Sequence, residues 1–287
     1  MYQIDSHCHV WELSRNDYDW MDVNDPALTP IAKDFSIKDY MEASAYYTAE
    51  KIVLVQAAAT EAETEYLLSI ADKTPLVSAV VGWVDLTSEN ALNSIENFRQ
   101  NKKFRGIRPM LQDIEDTNWL IDKPDQNLWQ TLAKNNLSFD ALVKPWHLDM
   151  ITKFCAEHDY MDIVIDHAAK PQWPDESFDL DQYMNYMAEI AANSRAYCKI
   201  SGLLTELSQS QNLNAEQYIA PVVNHLIECF GSNRLMWGSD WPVVNLVSDY
   251  SSWYEMSKQL FSSLSETDQQ NIFRNTAENF YRLGGNA

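Results

Sequence analysis

Near the start of the chain, Asp5-Ser6-His7-Cys8-His9 holds two imidazoles two positions apart, entered from Tyr2-Gln3-Ile4 and followed by Val10-Trp11. Side chains alternate faces along a β-strand, so His7 and His9 share one side and Cys8, read as inert packing, takes the other. Two imidazoles converging at a strand end make half of a metal site or of a proton-transfer site. An H-x-H in a polar turn would need neither, and the remaining polar residues decide. Arg108, Lys144, His167 and Asp240 each stand where a short apolar run stops, and His147 lies just past Lys144-Pro145-Trp146. Each has a plainer alternative. Asp240 would serve as a helix cap, although Trp241-Pro242 makes a rigid loop there instead. His167, after Asp166, would serve as a satisfied core histidine. Arg108 would pair with a surface carboxylate, but its place between a buried run and Pro109 favours an inward guanidinium. Trp20, Trp83, Trp146 and Trp241 also neighbour run ends, as packing or as ligand contacts. His158 and His225 fall in helical stretches and read as structural.

The elements that must position these groups alternate regularly. Eight short apolar runs read as strands: Tyr2 to His9, Lys51 to Gln56, Leu76 to Val84, Phe104 to Arg108, Leu137 to Val143, Met161 to Asp166, Ala196 to Ser201 and Arg234 to Ser239. Amphipathic stretches separate them, among them one entered at Ser36 and reaching about Glu50 and one from Ala215 to Phe230 stopped by Gly231. Two more, Tyr250 to Leu264 and Glu266 to Tyr281, close the chain. This order predicts one parallel (β/α)₈ (TIM) barrel spanning 1–287 as a single domain, whose strand ends gather into one mouth. An open doubly wound sheet would need a Gly-rich turn after an early strand, and none of the seven glycines stands in that spacing.

Composition narrows the partners. A formal charge of -21 repels phosphate backbones and anionic membranes, and Lys102-Lys103-Phe104-Arg105 is the longest basic run, so nucleic acid is disfavoured. No apolar run is long enough to cross a bilayer, and no secretory signal precedes Asp5. The scattered cysteines (8, 155, 198 and 229) read as free thiols in a reducing cytoplasm.

Taken with the H-x-H, a histidine after strand six and an aspartate after strand eight, several segments carry a resemblance. They are Val81-Gly82-Trp83-Val84-Asp85-Leu86, Gly106-Ile107-Arg108-Pro109-Met110-Leu111 and Ile165-Asp166-His167-Ala168-Ala169-Lys170-Pro171. Cys198 to Leu203, Leu235 to Pro242 and Asn275 to Tyr281 complete the set. Together they resemble the amidohydrolase superfamily, and within it the sugar-lactone hydrolases, over nearly the whole chain. The resemblance implies a hydrolase that opens a sugar lactone such as L-fuconolactone to the aldonate. In that reading Asp240 is the general base, and His7, His9 and His167 polarise the carbonyl. Arg108, Lys144, His147 and the four tryptophans would orient the ring. One divalent cation, zinc foremost, on His7, His9 and Asp240, with or without His167, is one expectation, and a metal-free site is the other. Arg108-Pro109 stands where two-metal relatives place a bridging ligand, which disfavours a binuclear centre. A decarboxylase on the same barrel and a non-catalytic sugar-binding barrel are the competing readings. Ring stereochemistry and oligomeric state are not encoded in these motifs.

Overall fold

Alternating β-branched runs and amphipathic stretches fold as the strand count predicts. A computed structural model describes residues 3–284; Tyr2, expected at the entry to the first strand, and residues 285–287 of the expected domain lie outside them. The order is β1 (Ile4–Cys8), α1 (Ile37–Ala43), β2 (Lys51–Val55), α2 (Glu61–Lys73), β3 (Val77–Gly82), α3 (Ala91–Phe98) and β4 (Phe104–Ile107). Then come α4 (Trp119–Asp122), α5 (Asn127–Lys134), β5 (Ser138–Ala141), α6 (Leu148–Glu157), β6 (Asp162–Ile165), α7 (Leu180–Asn193) and β7 (Tyr197–Ile200). α8 (Gln209–Asn212), α9 (Ala215–Phe230), β8 (Leu235–Trp237), α10 (Tyr250–Leu260), α11 (Glu266–Gln270) and α12 (Thr276–Phe280) complete it. All eight strands are parallel and pair in sequence order. The His9 amide donates to the Trp241 carbonyl at 2.7 Å and the Asp240 amide to the His7 carbonyl at 2.8 Å, bringing the first strand against the last. No described helix is long and apolar enough to cross a membrane.

Local chemistry sets the element ends. Ser36 and Asp39 form a capping box that starts α1, and Thr60 caps α2, whose first turn carries Glu61 and Glu63. α1 stops at Ala43 rather than near Glu50, because Tyr47 leaves the helix to stack on Tyr254 with ring centroids 4.5 Å apart. The expected last helix is interrupted by a π-helical turn at Asn271–Asn275 between α11 and α12.

The barrel interior is layered. Ile4, Val53, Val55, Ala79, Val81, Val164 and Met236 pack with Phe280, Tyr281 and Leu283. Lys51, the first residue of β2, donates to the Leu283 carbonyl at 2.8 Å, so the carboxyl-terminal turn closes the end of the barrel remote from the strand tips. In β1, Ile4 faces this interior. Strict alternation would then turn Ser6 inward and both histidines out. The β1–β2 register shifts between Asp5 and Cys8. Such an irregularity reverses the alternation and lets His7 and His9 enter the bowl together.

Candidate active site

Asp5 ties the site's two ends together. Its buried carboxylate accepts the His7 amide at 3.2 Å, the Ser239 amide at 2.9 Å and the Tyr40 hydroxyl at 2.9 Å. Asp240, itself at φ 55°, is thereby presented to three imidazoles. Its Oδ1 lies 3.3 Å from His9 Nε2 and 3.9 Å from both His7 Nε2 and His167 Nε2. His9 Nδ1 is 2.8 Å from the Val55 carbonyl. A carbonyl only accepts, so that nitrogen carries the proton, and Nε2 faces the Asp240 carboxylate as a second acceptor. Only a proton or a cation between them satisfies both.

His167 reaches this cluster through an unusual backbone. His167, Ala168, Ala169 and Lys170 have φ of 52°, 50°, 57° and 52°, a left-handed turn without glycine. Such a conformation costs about 1–2 kcal/mol per residue, so neighbouring contacts must hold it. The Tyr183 hydroxyl donates to the Ala168 carbonyl at 2.7 Å and the Lys170 amide to the His167 carbonyl at 2.8 Å. His167 Nδ1 is 2.9 Å from Ser201 Oγ. Gly202, at φ 62°, passes directly beneath: a Cβ there would lie 2.5 Å from His167 Nδ1.

A buried charge layer lies under the imidazoles. Lys199 Nζ is 2.7 Å from Asp140 Oδ2, 2.9 Å from Asp166 Oδ1 and 3.2 Å from His7 Nδ1, and none of these four side chains is exposed. Asp140 also accepts from Ser138 at 2.8 Å and from the Tyr281 hydroxyl at 2.6 Å. Arg108 Nη1 sits 3.4 Å from His7 Nε2 and 3.6 Å from Asp166 Oδ2, while its other arm donates to the Gln56 carbonyl. Burial, then the charges of Lys199, His9 and Arg108, hold His7 well below the usual imidazole range. Burial puts His167 there too, against the pull of Asp240. Burial pushes the Asp240 carboxyl up, but the charge of His167 and the hydrogen bond to His9 outweigh it and hold the group below its ordinary value. The site therefore presents an ionised carboxylate at Asp240 beside His7 and His167, whose imidazoles burial disposes to lose their protons.

Above this floor opens a pocket lined by His9, His167, Asp240 and Arg108, with Ala57, Met110, Leu142 and Val243 as apolar wall. Trp11 and Trp20 add aromatic surface, and Gln112, Asp113 and Lys170 add polar groups. Trp20 is fixed by its indole N–H donating to the Ala57 carbonyl at 2.7 Å. His7 lies beneath, fully buried.

Five residues expected at this pocket stand elsewhere. Trp241 is buried edge-on against Phe35 and Tyr40. Trp146, 51% exposed, lines a separate groove with Gln172, Phe178 and Tyr186, with Lys144 Nζ over its ring at 5.0 Å. His147 is buried and its Nδ1 accepts the Lys144 amide at 3.2 Å. Trp83 is pinned by its backbone to the Thr64 hydroxyl. Adjacency to a strand end brought each near the mouth, but the loop backbone turned each away from the cavity. The residues not foreseen at the pocket include Trp11, Met110 and Lys170. Below it, Lys199 and Asp140 carried a legible signal, as charges inside the apolar runs Tyr197–Ile200 and Ser138–Ala141.

The donor set suits a divalent ion. Ligand atoms of His7, His9 and Asp240 lie within 4.8 Å of one another, as do those of His7, Asp166 and His167. Imidazole nitrogens and a carboxylate are ordinary zinc ligands, and His9, donating its other N–H to a carbonyl, has the outer-shell bond that ligating histidines make.

A parallel eight-stranded barrel with paired histidines on its first strand and an aspartate past its last is the arrangement of a barrel hydrolase, and these groups could hold a metal ion. Residues 4–283 match the amidohydrolase family, and the chain belongs to it. It is 37% identical over 286 residues to the L-fucono-1,5-lactonase of Burkholderia ambifaria, covering 98% of this chain and 96% of that one. It is 32% identical over 293 residues to the L-fucono-1,5-lactonase of Burkholderia multivorans, with 98% and 96% covered. A Burkholderia multivorans amidohydrolase solved with bound zinc superposes with a TM-score of 0.90 at 30% identity, covering 98% of this chain and 99% of that one.

Proposed function

We propose that the chain, acting as one barrel domain over 1–287, hydrolyses a neutral sugar lactone such as L-fucono-1,5-lactone to the aldonate. One observation carries the reading: an ionised carboxylate, Asp240, ringed by three imidazole nitrogens at the floor of a pocket with both apolar and polar walls. The lactonase relatives support the substrate class.

Lactone opening needs a polarised carbonyl, a deprotonated water and a proton for the departing ring oxygen. Asp240 is the proposed base: it is held ionised and lines the pocket where the attacking water would sit, so its oxygen is placed to take the proton. The same carboxyl then returns that proton to the alkoxide as the ring opens. The imidazole of His167, which lines the pocket, would donate to the carbonyl oxygen as charge grows on it, with His7 packed beneath it, and burial strengthens that interaction. Arg108, in the pocket wall, braces His7 and Asp166, and Trp20 offers a face for the sugar ring. His7, His9 and Asp240 are the residues that would hold a divalent cation, zinc by donor type. When bound, it would polarise the carbonyl and acidify water. The four cysteines, unpaired in the structure, suit the cytoplasm as proposed location.

A pH-indicator assay across sugar lactones tests the reading. Acid release above the spontaneous rate supports it. Silence on every lactone, with carbon dioxide released from an aromatic acid, would replace it with a decarboxylase.

A further inference from the structure

Resting on the lactonase reading, we propose that Lys170 is a substrate-binding residue, whose ammonium donates to ring hydroxyls of the lactone and so sets a preference for polyhydroxylated rings. Lys170 closes the left-handed turn that begins at His167, so one segment delivers an imidazole and an ammonium to the same pocket. The ammonium is held in advance. Its Nζ lies 3.3 Å from Glu206 Oε1. Gln172 Nε2 donates to Glu206 Oε2 at 2.9 Å and to the Lys170 carbonyl at 2.9 Å, which closes a ring of contacts around the side chain. A lysine that only solubilises a surface needs no such brace. One fixed before the ligand arrives loses less rotamer freedom on binding.

Position selects the partner. Lys170 lines the same pocket as His167 and Asp240, yet its ion pair is with Glu206 and not with Asp240. Its ammonium therefore borders the space that a ring carbon and its substituent would fill. An ammonium has three N–H donors and no acceptor. With Glu206 taking one, the others turn to oxygen lone pairs, which a sugar lactone carries on its ring hydroxyls. A lactone without hydroxyls has only its two ester oxygens, which belong to the reacting centre, and leaves the partly exposed ammonium to water.

The test is steady-state hydrolysis of L-fucono-1,5-lactone and of δ-valerolactone, a six-membered lactone lacking hydroxyls, by the unsubstituted enzyme, K170M and K170R. K170M is expected to lose about 10- to 100-fold in kcat/KM on the sugar lactone, the worth of one charged hydrogen bond, while δ-valerolactone is unchanged and K170R recovers part of the loss. Equal losses on both lactones, or none on the sugar lactone, overturn the assignment. If δ-valerolactone turns over too slowly to time, its inhibition constant against the sugar lactone in enzyme and variant makes the same comparison. If circular dichroism finds K170M unfolded, E206Q replaces it: releasing the ammonium should raise KM for the sugar lactone alone, and an unchanged KM refutes the role. Failure of the unsubstituted enzyme on both lactones would sink the lactonase reading and this inference together, whereas equal losses in an active enzyme remove Lys170 alone.

Discussion

Replacing Gly202 with alanine puts a methyl group under the two groups that matter most. The added Cβ would lie 2.5 Å from His167 Nδ1 and 3.0 Å from Asp240 Oδ2, at a backbone φ of 62°. Comfortable non-bonded separation is about 3.5 Å, so the imidazole must retreat by roughly 1 Å. Its 2.9 Å contact with Ser201 Oγ then stretches beyond hydrogen-bonding range. Left-handed alanine costs about 1–2 kcal/mol and the lost hydrogen bond about 1 kcal/mol. The sum, about 2–3 kcal/mol, corresponds to a Tm lowered by roughly 3–5 °C for a chain of this size. Misplacing a reacting group by that much costs about 100-fold in rate. Gly231 supplies the control. It also has positive φ, at 69°, but a Cβ there meets only Asn233 Oδ1, at 3.1 Å. G231A should therefore lose stability and keep its kcat. Thermal melts by circular dichroism and lactone hydrolysis by acid release read both variants. G202A with unchanged kcat/KM would refute the claim that this glycine makes room for the acid–imidazole pair.

Three further outcomes follow from the same geometry. Asp240→Asn should lower kcat by about 10²- to 10⁴-fold with an unchanged circular dichroism spectrum; near-normal turnover removes Asp240 as the base. Glu63, raised from 4.5 to about 7 by burial against weaker help from Tyr18 and Arg15, binds a proton in the folded state that the unfolded chain has released between those values. Its contribution is thus complete below pH 4.5 and lost as pH rises through about 7, a change of about 3 kcal/mol. Urea unfolding at pH 5 and pH 8 should give a larger decline for the unsubstituted protein than for Glu63→Gln; equal declines contradict it. Lys199→Met strands Asp140 and Asp166 without their shared cation, which should cost about 3–5 kcal/mol in urea unfolding, partly restored by adding Asp140→Asn. A loss below about 1 kcal/mol would mean that the layer is not held by this ion cluster.

Legibility in the sequence followed the physics that sets each position. Strand ends are fixed by apolar runs, so His7, His9, Arg108, His167 and Asp240 were legible as neighbours once eight runs were counted. The strand alternation that paired His7 with His9 is correct for that pair, but it does not extend back to Ile4, because a register shift intervenes. Nothing in Ile4-Asp5-Ser6 announces that shift. Lys170 was invisible for a similar reason: Ala168-Ala169-Lys170 has no glycine or asparagine to signal a left-handed turn, and only tertiary contacts such as the Tyr183 hydroxyl hold it there. Of the four expected tryptophans Trp20 reaches the pocket and Trp83, Trp146 and Trp241 do not, because loop backbone, not adjacency, aims a ring. Trp20 faces the cavity and Trp11 borders it, while Trp241, directly after Asp240, packs into the core.

The hydroxyl of Tyr281 on Asp140 also bears on how the enzyme is made. A ribosome releases the amino end first, so the H-x-H pair and both inner aspartates emerge well before the residue that caps them from below. Until Tyr281 docks, Asp140 has Lys199 and Ser138 but lacks its third partner. The catalytic bowl thus begins with the first strand translated and is completed from beneath by nearly the last residues. Nascent chains stalled short of Tyr281 should carry every proposed reacting group and yet lack a finished foundation for them.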